Sequence, residues 1–160
     1  MAYTGRRKDD FMHNIDPKKA AQVWQRVQSQ NPTVPDQATL LTLIVQEQED
    51  AAAYLHLSRQ FEGKDAATLR QIAYQEQSHA ACLRGIYALQ TGKKPELHTP
   101  PVPRENRKVL LRRCYSREMQ SLAQYKARSN DPEYGHIFTR LAFQEQEHCH
   151  TLLLLLDKIR

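Results

Sequence analysis

At 160 residues the chain fits one domain, long enough to bury a core without disulfide staples. Five glycines, 40% hydrophobic residues and long runs of Ala, Leu, Gln, Glu and Arg favour helix throughout and leave no convincing strand. The formal charge is +5, and Cys82, Cys114 and Cys149, odd in number and without a Cys-x-x-Cys pair, argue against a disulfide framework or thiolate metal site. There is no 18-residue apolar span and no cleavable leader, so a cytoplasmic protein with no membrane partner is expected.

Residues 1–15 hold a basic cluster, Arg6, Arg7 and Lys8, without helical periodicity, and read as an arm. Asp16-Pro17 then starts a short helix with Ala20, Ala21, Val23, Trp24 and Val27 on one stripe, which Asn31-Pro32 stops. This segment, residues 1–35, precedes a bundle expected over 36–160. Pro35-Asp36 opens the first long helix, whose inward stripe runs through Leu40, Leu43, Ile44, Glu47, Ala51, Tyr54, Leu57 and Phe61. Gly63 is expected to end it as a left-handed residue and Asp65 to cap the next. The second helix places Leu69, Ile72, Ala73, Glu76, His79, Ala80, Leu83, Ile86 and Tyr87 on one face and ends at Gly92.

Lys93 to Arg104, with four prolines, is a linker. Its twelve residues reach about 40 Å at roughly 3.3 Å each, the length of a helix of about 26 residues. It can therefore cross the whole bundle, which makes the second and third helices parallel, the crossover arrangement of an all-α, ferritin-like four-helix bundle. The third helix, from about Asn106 to Ser129, turns Leu111, Cys114, Tyr115, Glu118, Leu122 and Tyr125 inward, with Cys114 as a small buried hydrophobe. Asn130-Asp131-Pro132 reads as stop, cap and first-position proline of a fourth helix ending near Ile159. Its five consecutive leucines, 152 to 156, call for packing on more than one side, against Trp24 or a second subunit, and a homodimer is expected.

One stretch is written twice. Ala73-Tyr74-Gln75-Glu76-Gln77-Ser78-His79 returns as Ala142-Phe143-Gln144-Glu145-Gln146-Glu147-His148. Glu-x-x-His sets a carboxylate and an imidazole on one helical face, and a dinuclear carboxylate site takes two such pairs plus one Glu from each of two other helices. Glu47 and Glu118 fill that role, each with a tyrosine seven residues on, Tyr54 and Tyr125, which two helical turns bring to the same face. Glu147 and His150 offer a competing register, but Glu147 aligns with Arg140 and Lys158, whereas Glu145 aligns with Phe138, Leu141 and Leu152. Four carboxylates in core stripes must be protonated or held by cations. Oxygen and imidazole ligands without thiolate suit two iron ions, with manganese or zinc as alternatives. Neutralising four of the 18 acidic residues leaves 14 against 23 basic ones, a surface that favours an acidic protein partner ahead of nucleic acid.

These residues resemble the rubrerythrin branch of the ferritin-like superfamily over residues 36–159, on Glu47 with Tyr54, Glu76 with His79, Glu118 with Tyr125, and Glu145 with His148. The resemblance implies a diiron centre with the tyrosines beside its ligands, and reduction of hydrogen peroxide with electrons from a rubredoxin-type centre. The paired Cys-x-x-Cys of a rubredoxin domain are absent, so the donor is expected to be a separate protein. Ser121 stands where the family has a further glutamate, and Asp50, one turn after Glu47, is either a seventh carboxylate from the opposite half or an exposed or hydrogen-bonded side chain. The expected function is a dinuclear oxidoreductase acting on peroxide or dioxygen, with Tyr54 and Tyr125 tuning the ligands. The alternatives are iron oxidation and storage, hydroxylation of a larger substrate such as a lipid, quinone or tRNA, and a metal-free interaction module.

Overall fold

The computed structural model describes residues 35–96, 98–101 and 103–159; the expected arm and the Trp24 helix lie outside them. Every regular element among the described residues is an α-helix: α1 (Gln37–Ser58), α2 (Gly63–Thr91), α3 (Arg107–Ala127) and α4 (Gly135–Lys158). Two starts follow directly from sequence chemistry. The Asp36 carboxylate accepts the Thr39 N–H at 2.7 Å, and the Asn106 side-chain oxygen accepts the Val109 N–H at 3.0 Å, each meeting a donor that a helix N-terminus leaves open. Gly92 ends α2 in the left-handed region, φ 68°, with its N–H on the Ala88 carbonyl.

Two boundaries differ from expectation. α1 stops at Ser58 rather than at Gly63: the Ser58 hydroxyl donates to the Leu55 carbonyl at 2.9 Å, and the Arg59 and Gln60 N–H groups tighten onto His56 and Leu57. The turn delivers Phe61 to the core edge, where the Arg107 guanidinium lies 5.6 Å from its ring centre. Gly63 does adopt positive φ, 56°, but as the first residue of α2, and Asp65 pairs with Lys158 Nζ at 2.7 Å instead of capping. The fourth helix starts later than Pro132. Asp131 Oδ1 accepts the N–H groups of Glu133 and Tyr134 in a separate turn, and α4 begins at Gly135. A Cβ there would stand 2.5 Å from the Ser129 carbonyl oxygen, so the close approach of the two chain segments needs glycine.

The side chains fix the directions of the helices. Tyr54 bonds Glu118 while Tyr125 bonds Glu47, so α1 and α3 run antiparallel; His79 with Gln144 and His148 with Gln75 do the same for α2 and α4. Since α1 and α2 form a hairpin, α2 and α3 are parallel, and residues 93–104 carry the chain from one end of the bundle to the other. α1 packs on α2 and α3, and α4 packs on the same two. The result is two α-hairpins facing each other about an approximate twofold axis, with Glu47, Tyr54, Glu76 and His79 matching Glu118, Tyr125, Glu145 and His148.

The core is divided along the axis. One cluster, including Leu40, Leu43, Leu83, Ile86, Tyr125 and Phe138, fills one end, and a second, including Leu57, Leu69, Ile72, Leu110, Leu111 and Leu152, fills the other. The charged residues lie in the layer between. In the leucine run Leu152 and Leu155 are buried, while Leu153 and Leu154 are about half exposed. No helix among the described residues is long and apolar enough to cross a membrane.

Candidate metal centre

The same 3.6-residue period that sends leucines into the two apolar clusters sends four glutamates and two histidines into the layer between them. Glu47, Glu76, His79, Glu118, Glu145 and His148 are each no more than 2% exposed. Their ligand atoms fall into two sets, Glu47, Glu76, His79 and Glu145, and Glu76, Glu118, Glu145 and His148, with the atoms of each set within 4.8 Å of one another. Glu76 and Glu145 belong to both. Glu76 places Oε2 3.0 Å from His79 Nδ1 and Oε1 2.8 Å from His148 Nδ1; Glu145 places Oε1 2.9 Å from His79 Nδ1 and Oε2 3.6 Å from His148 Nδ1. Glu47 and Glu118 each serve one imidazole, at 3.4 and 3.3 Å.

A surrounding layer orients these groups, and it crosses between hairpins. The Tyr54 hydroxyl donates to Glu118 Oε1 and the Tyr125 hydroxyl to Glu47 Oε1, so each tyrosine holds the glutamate of the opposite half. Burial first, and the neighbouring carboxylates next, push both phenols well above their ordinary range, which keeps them protonated as donors. The imidazoles are fixed likewise: His79 Nε2 lies 3.0 Å from Gln144 Oε1, and His148 Nε2 lies 3.0 Å from Gln75 Oε1. With Nε2–H donated to an amide oxygen, Nδ1 is the atom that faces the carboxylates. Replacing Gln75 with leucine is therefore expected to weaken the ion beside His148 by roughly 10- to 100-fold while leaving helicity intact. Competition with a chelator would measure it, and an unchanged affinity would mean that the amide orients nothing.

Without an ion the layer is poorly satisfied. Burial and the charges of Glu145, Glu118 and Glu47 push Glu76 well above the carboxylate range, and burial with Glu145 raises Glu118 to about 7. Burial works against charge on the imidazoles too, but Glu145, Glu47 and Glu76 outweigh it at His79, and Glu118, Glu145 and Glu76 push His148 up to about 12. Glu47 and Glu145 also feel burial, yet hydrogen bonds, from His79 to the first and from Glu118 and His148 to the second, hold them below the usual range. Even so, Glu76 Oε1 and Glu145 Oε1 make no hydrogen bond of acceptable angle despite their nearness to Nδ1 atoms. Desolvating each charge costs several kcal/mol, against about 2 kcal/mol gained by burying a leucine, so four carboxylates would offset much of the adjoining core. Cations would resolve the deficit, and this donor set, oxygen and imidazole with two unmet carboxylate oxygens, could hold metal ions.

The residues singled out from the sequence thus converge on one layer, and the residues set aside stay out of it. Glu147 and His150 are exposed on α4, and Glu49 is a partly exposed partner of Arg117 at 3.1 Å. Asp50 is buried, yet it belongs to neither ligand set: Arg117 Nε lies 2.6 Å from its Oδ1. Burial first raises the Asp50 pKa well above the ordinary range, against the pull of Arg117. With Ser121, Gln46 and Gln120, this pair lines a cavity of about 40 Å³, room for little more than a water molecule. Cys114 is buried, and burial raises its thiol far above the reactive range, as suits a core residue. Gln75 and Gln144 escaped the sequence reading, although their recurrence at the same place in both copies was the signal. No protein-family model, no curated protein and no solved structure matches this chain.

Proposed function

We propose that the chain is a rubrerythrin-like member of the ferritin-like superfamily, a cytoplasmic dinuclear oxidoreductase that reduces peroxide or dioxygen. Two iron ions, with manganese as the alternative, would be held by Glu47, Glu76, His79, Glu118, Glu145 and His148. The observation that carries the reading is that Glu76 and Glu145 each face both imidazoles, so a pair of ions would share them. When bound, such a pair supplies two electrons and Lewis acidity to an oxygen–oxygen bond. The chain contributes the rest. Glu47 and Glu118 would each serve one position, the glutamines aim the imidazoles, and Tyr54 and Tyr125, fully buried, hold protons beside Glu118 and Glu47. Flanking apolar clusters keep bulk water from the layer.

Electrons must come from outside, because no cysteine pair can hold an iron-sulfur centre. Arg104, Arg107 and Arg112 are exposed around the start of α3 and Lys108 is half-buried there. Cations in a first helical turn oppose the helix dipole, an arrangement with a use if an acidic donor such as a rubredoxin docks on it. Half-exposed Leu153 and Leu154 suit a second copy of the chain. The test is metal quantification on anaerobically purified protein, followed by peroxide-driven spectral change and donor oxidation across ionic strength. Two ions per chain, a rapid change with peroxide, and a donor rate that falls with salt and with neutralisation of the four basic residues are expected. Metal without reaction toward peroxide or any donor would move the assignment to iron handling, and no metal at all would end it.

A further inference from the structure

The two hairpins match at the four glutamates, two histidines, two tyrosines and two glutamines of this layer, so departures elsewhere stand out. Ala51 on α1 corresponds to Leu122 on α3, Ala80 on α2 to Cys149 on α4, and Arg84 to Leu153. In the second hairpin Leu122 and Cys149 are buried side chains. In the first, the smaller alanines leave a cleft of about 380 Å³ along the α1–α2 groove, with Ala51, Ala52, Leu55 and Ala80 among its walls. The crossover linker exists on this side of the twofold only, and it adds His98 and Pro100 to the wall. The His98 N–H reaches Gln48 Oε1 at 3.4 Å, and its Nε2 lies 3.5 Å from Glu49, so the linker is moored beside the cleft.

A cleft of this volume lies within the range of small-molecule sites. Its lining sets Ala51, Ala52, Leu55 and Ala80 beside the polar Gln48, Gln77 and His98, with Arg84 as its one permanent charge. Arg84 is half-buried, lines the cleft, and has no carboxylate partner among the described residues. A partly desolvated guanidinium without a counter-charge is costly, and its planar fork matches a carboxylate in two parallel hydrogen bonds. His98 is turned to Glu49, so one guanidinium balances a single negative charge rather than the two of a phosphate monoester.

We propose that this cleft binds a small organic carboxylate, its apolar part on Ala51, Ala52, Leu55 and Ala80 and its carboxyl group on Arg84. The site is independent of the redox reading. It does, however, share helical turns with the metal layer, because Gln48 follows Glu47 and Ala80 follows His79. An occupant therefore presses on the outer side of the turns that carry ligands.

The experiment is calorimetric titration of the metal-loaded full chain with octanoate and, separately, octanol. One saturable octanoate site per chain is expected, with octanol at least tenfold weaker. Arg84→Gln is expected to weaken octanoate at least tenfold and leave octanol unchanged. Ala51→Leu, which installs the side chain found at the matching place in the second hairpin, is expected to abolish both while two metal ions per chain remain. If Ala51→Leu disturbs metal content, Ala52→Leu at the half-buried edge of the same wall gives the same reading. Equal binding of the two probes, octanoate binding untouched by Arg84→Gln, or no saturable binding in the natural chain would overturn the proposal. Metal content, measured alongside, separates that failure from failure of the metal centre.

Discussion

Glu145→Ala is expected to empty both metal positions, not one. The reason is geometric: Glu145 presents one oxygen toward each imidazole, and Glu76 does the same from the opposite helix, so removing either takes a ligand from both sets. Glu47 and Glu118 each belong to a single set, and Glu47→Ala or Glu118→Ala is expected to cost one ion and keep the other. Glu147→Ala and His150→Ala, on the exposed face of α4, are expected to retain two. Elemental analysis of the purified variants, with circular dichroism to verify helicity, distinguishes these outcomes. A Glu145→Ala protein that still carries one tightly held ion would show that the carboxylates are not shared.

Stripping the metal is expected to lower the melting temperature and to reverse its dependence on pH. An ion present at a thousand times its dissociation constant stabilises the folded state by about 4 kcal/mol, which is about 8–16 °C for a chain of this size. The pH effect follows from which groups gain protons on folding. In the metal-free protein His79 and His148 are raised above 6.5, the latter to about 12, so their contribution is complete below 6.5 and is lost as pH rises through the folded value. Glu76 and Glu118 are raised above 4.5, Glu118 to about 7, and they act in the same direction at lower pH. Glu47 and Glu145, lowered, contribute stability that is present above about 4.5 and lost only in stronger acid. Metal-free protein should therefore melt at progressively lower temperature between pH 5 and pH 9. With metal at fixed concentration the trend inverts, because ligation displaces the protons on His79, His148, Glu76 and Glu118 and so tightens as pH rises. Parallel slopes for the two forms would contradict this account.

Much of the site was legible because it is periodic and duplicated. Glu47 and Glu118 stand in apolar stripes on α1 and α3, and on α4 the stripe of Phe138, Leu141 and Leu152 separates Glu145 from Glu147 two positions away. The crossover was legible from the proline count and reach of the linker. What escaped depends on contacts between distant parts of the chain. Nothing local in Asp50 announces Arg117 as its partner, and nothing in Gln75 says that it will meet His148 rather than water. The helix boundaries at Ser58 and Gly135 were missed because short-range competition decided them, a serine bonding back on its own turn and an aspartate capping a turn ahead of the helix. Gly63 gave the right backbone angle on the wrong helix, since left-handed glycine marks a reversal without saying which element owns it.

The sharing of ligands across the twofold has a consequence for how the molecule comes together. Neither hairpin would own an ion: one candidate set draws Glu47, Glu76 and His79 from the first half and Glu145 from the second, and the other draws Glu76 from the first half and Glu118, Glu145 and His148 from the second. Each hairpin can form early, from contacts close in sequence, but complete ligand sets would exist only once the halves have docked. Ions bound there would be a late step in folding and a clamp on its product. A chain severed between Pro100 and Pro101 would yield two fragments whose association is metal-dependent, each ion acting as a removable cross-link between them. The first fragment paired with its own copy would rebuild an equivalent ligand set, Glu47, Glu76 and His79 from one copy with Glu76 from the other.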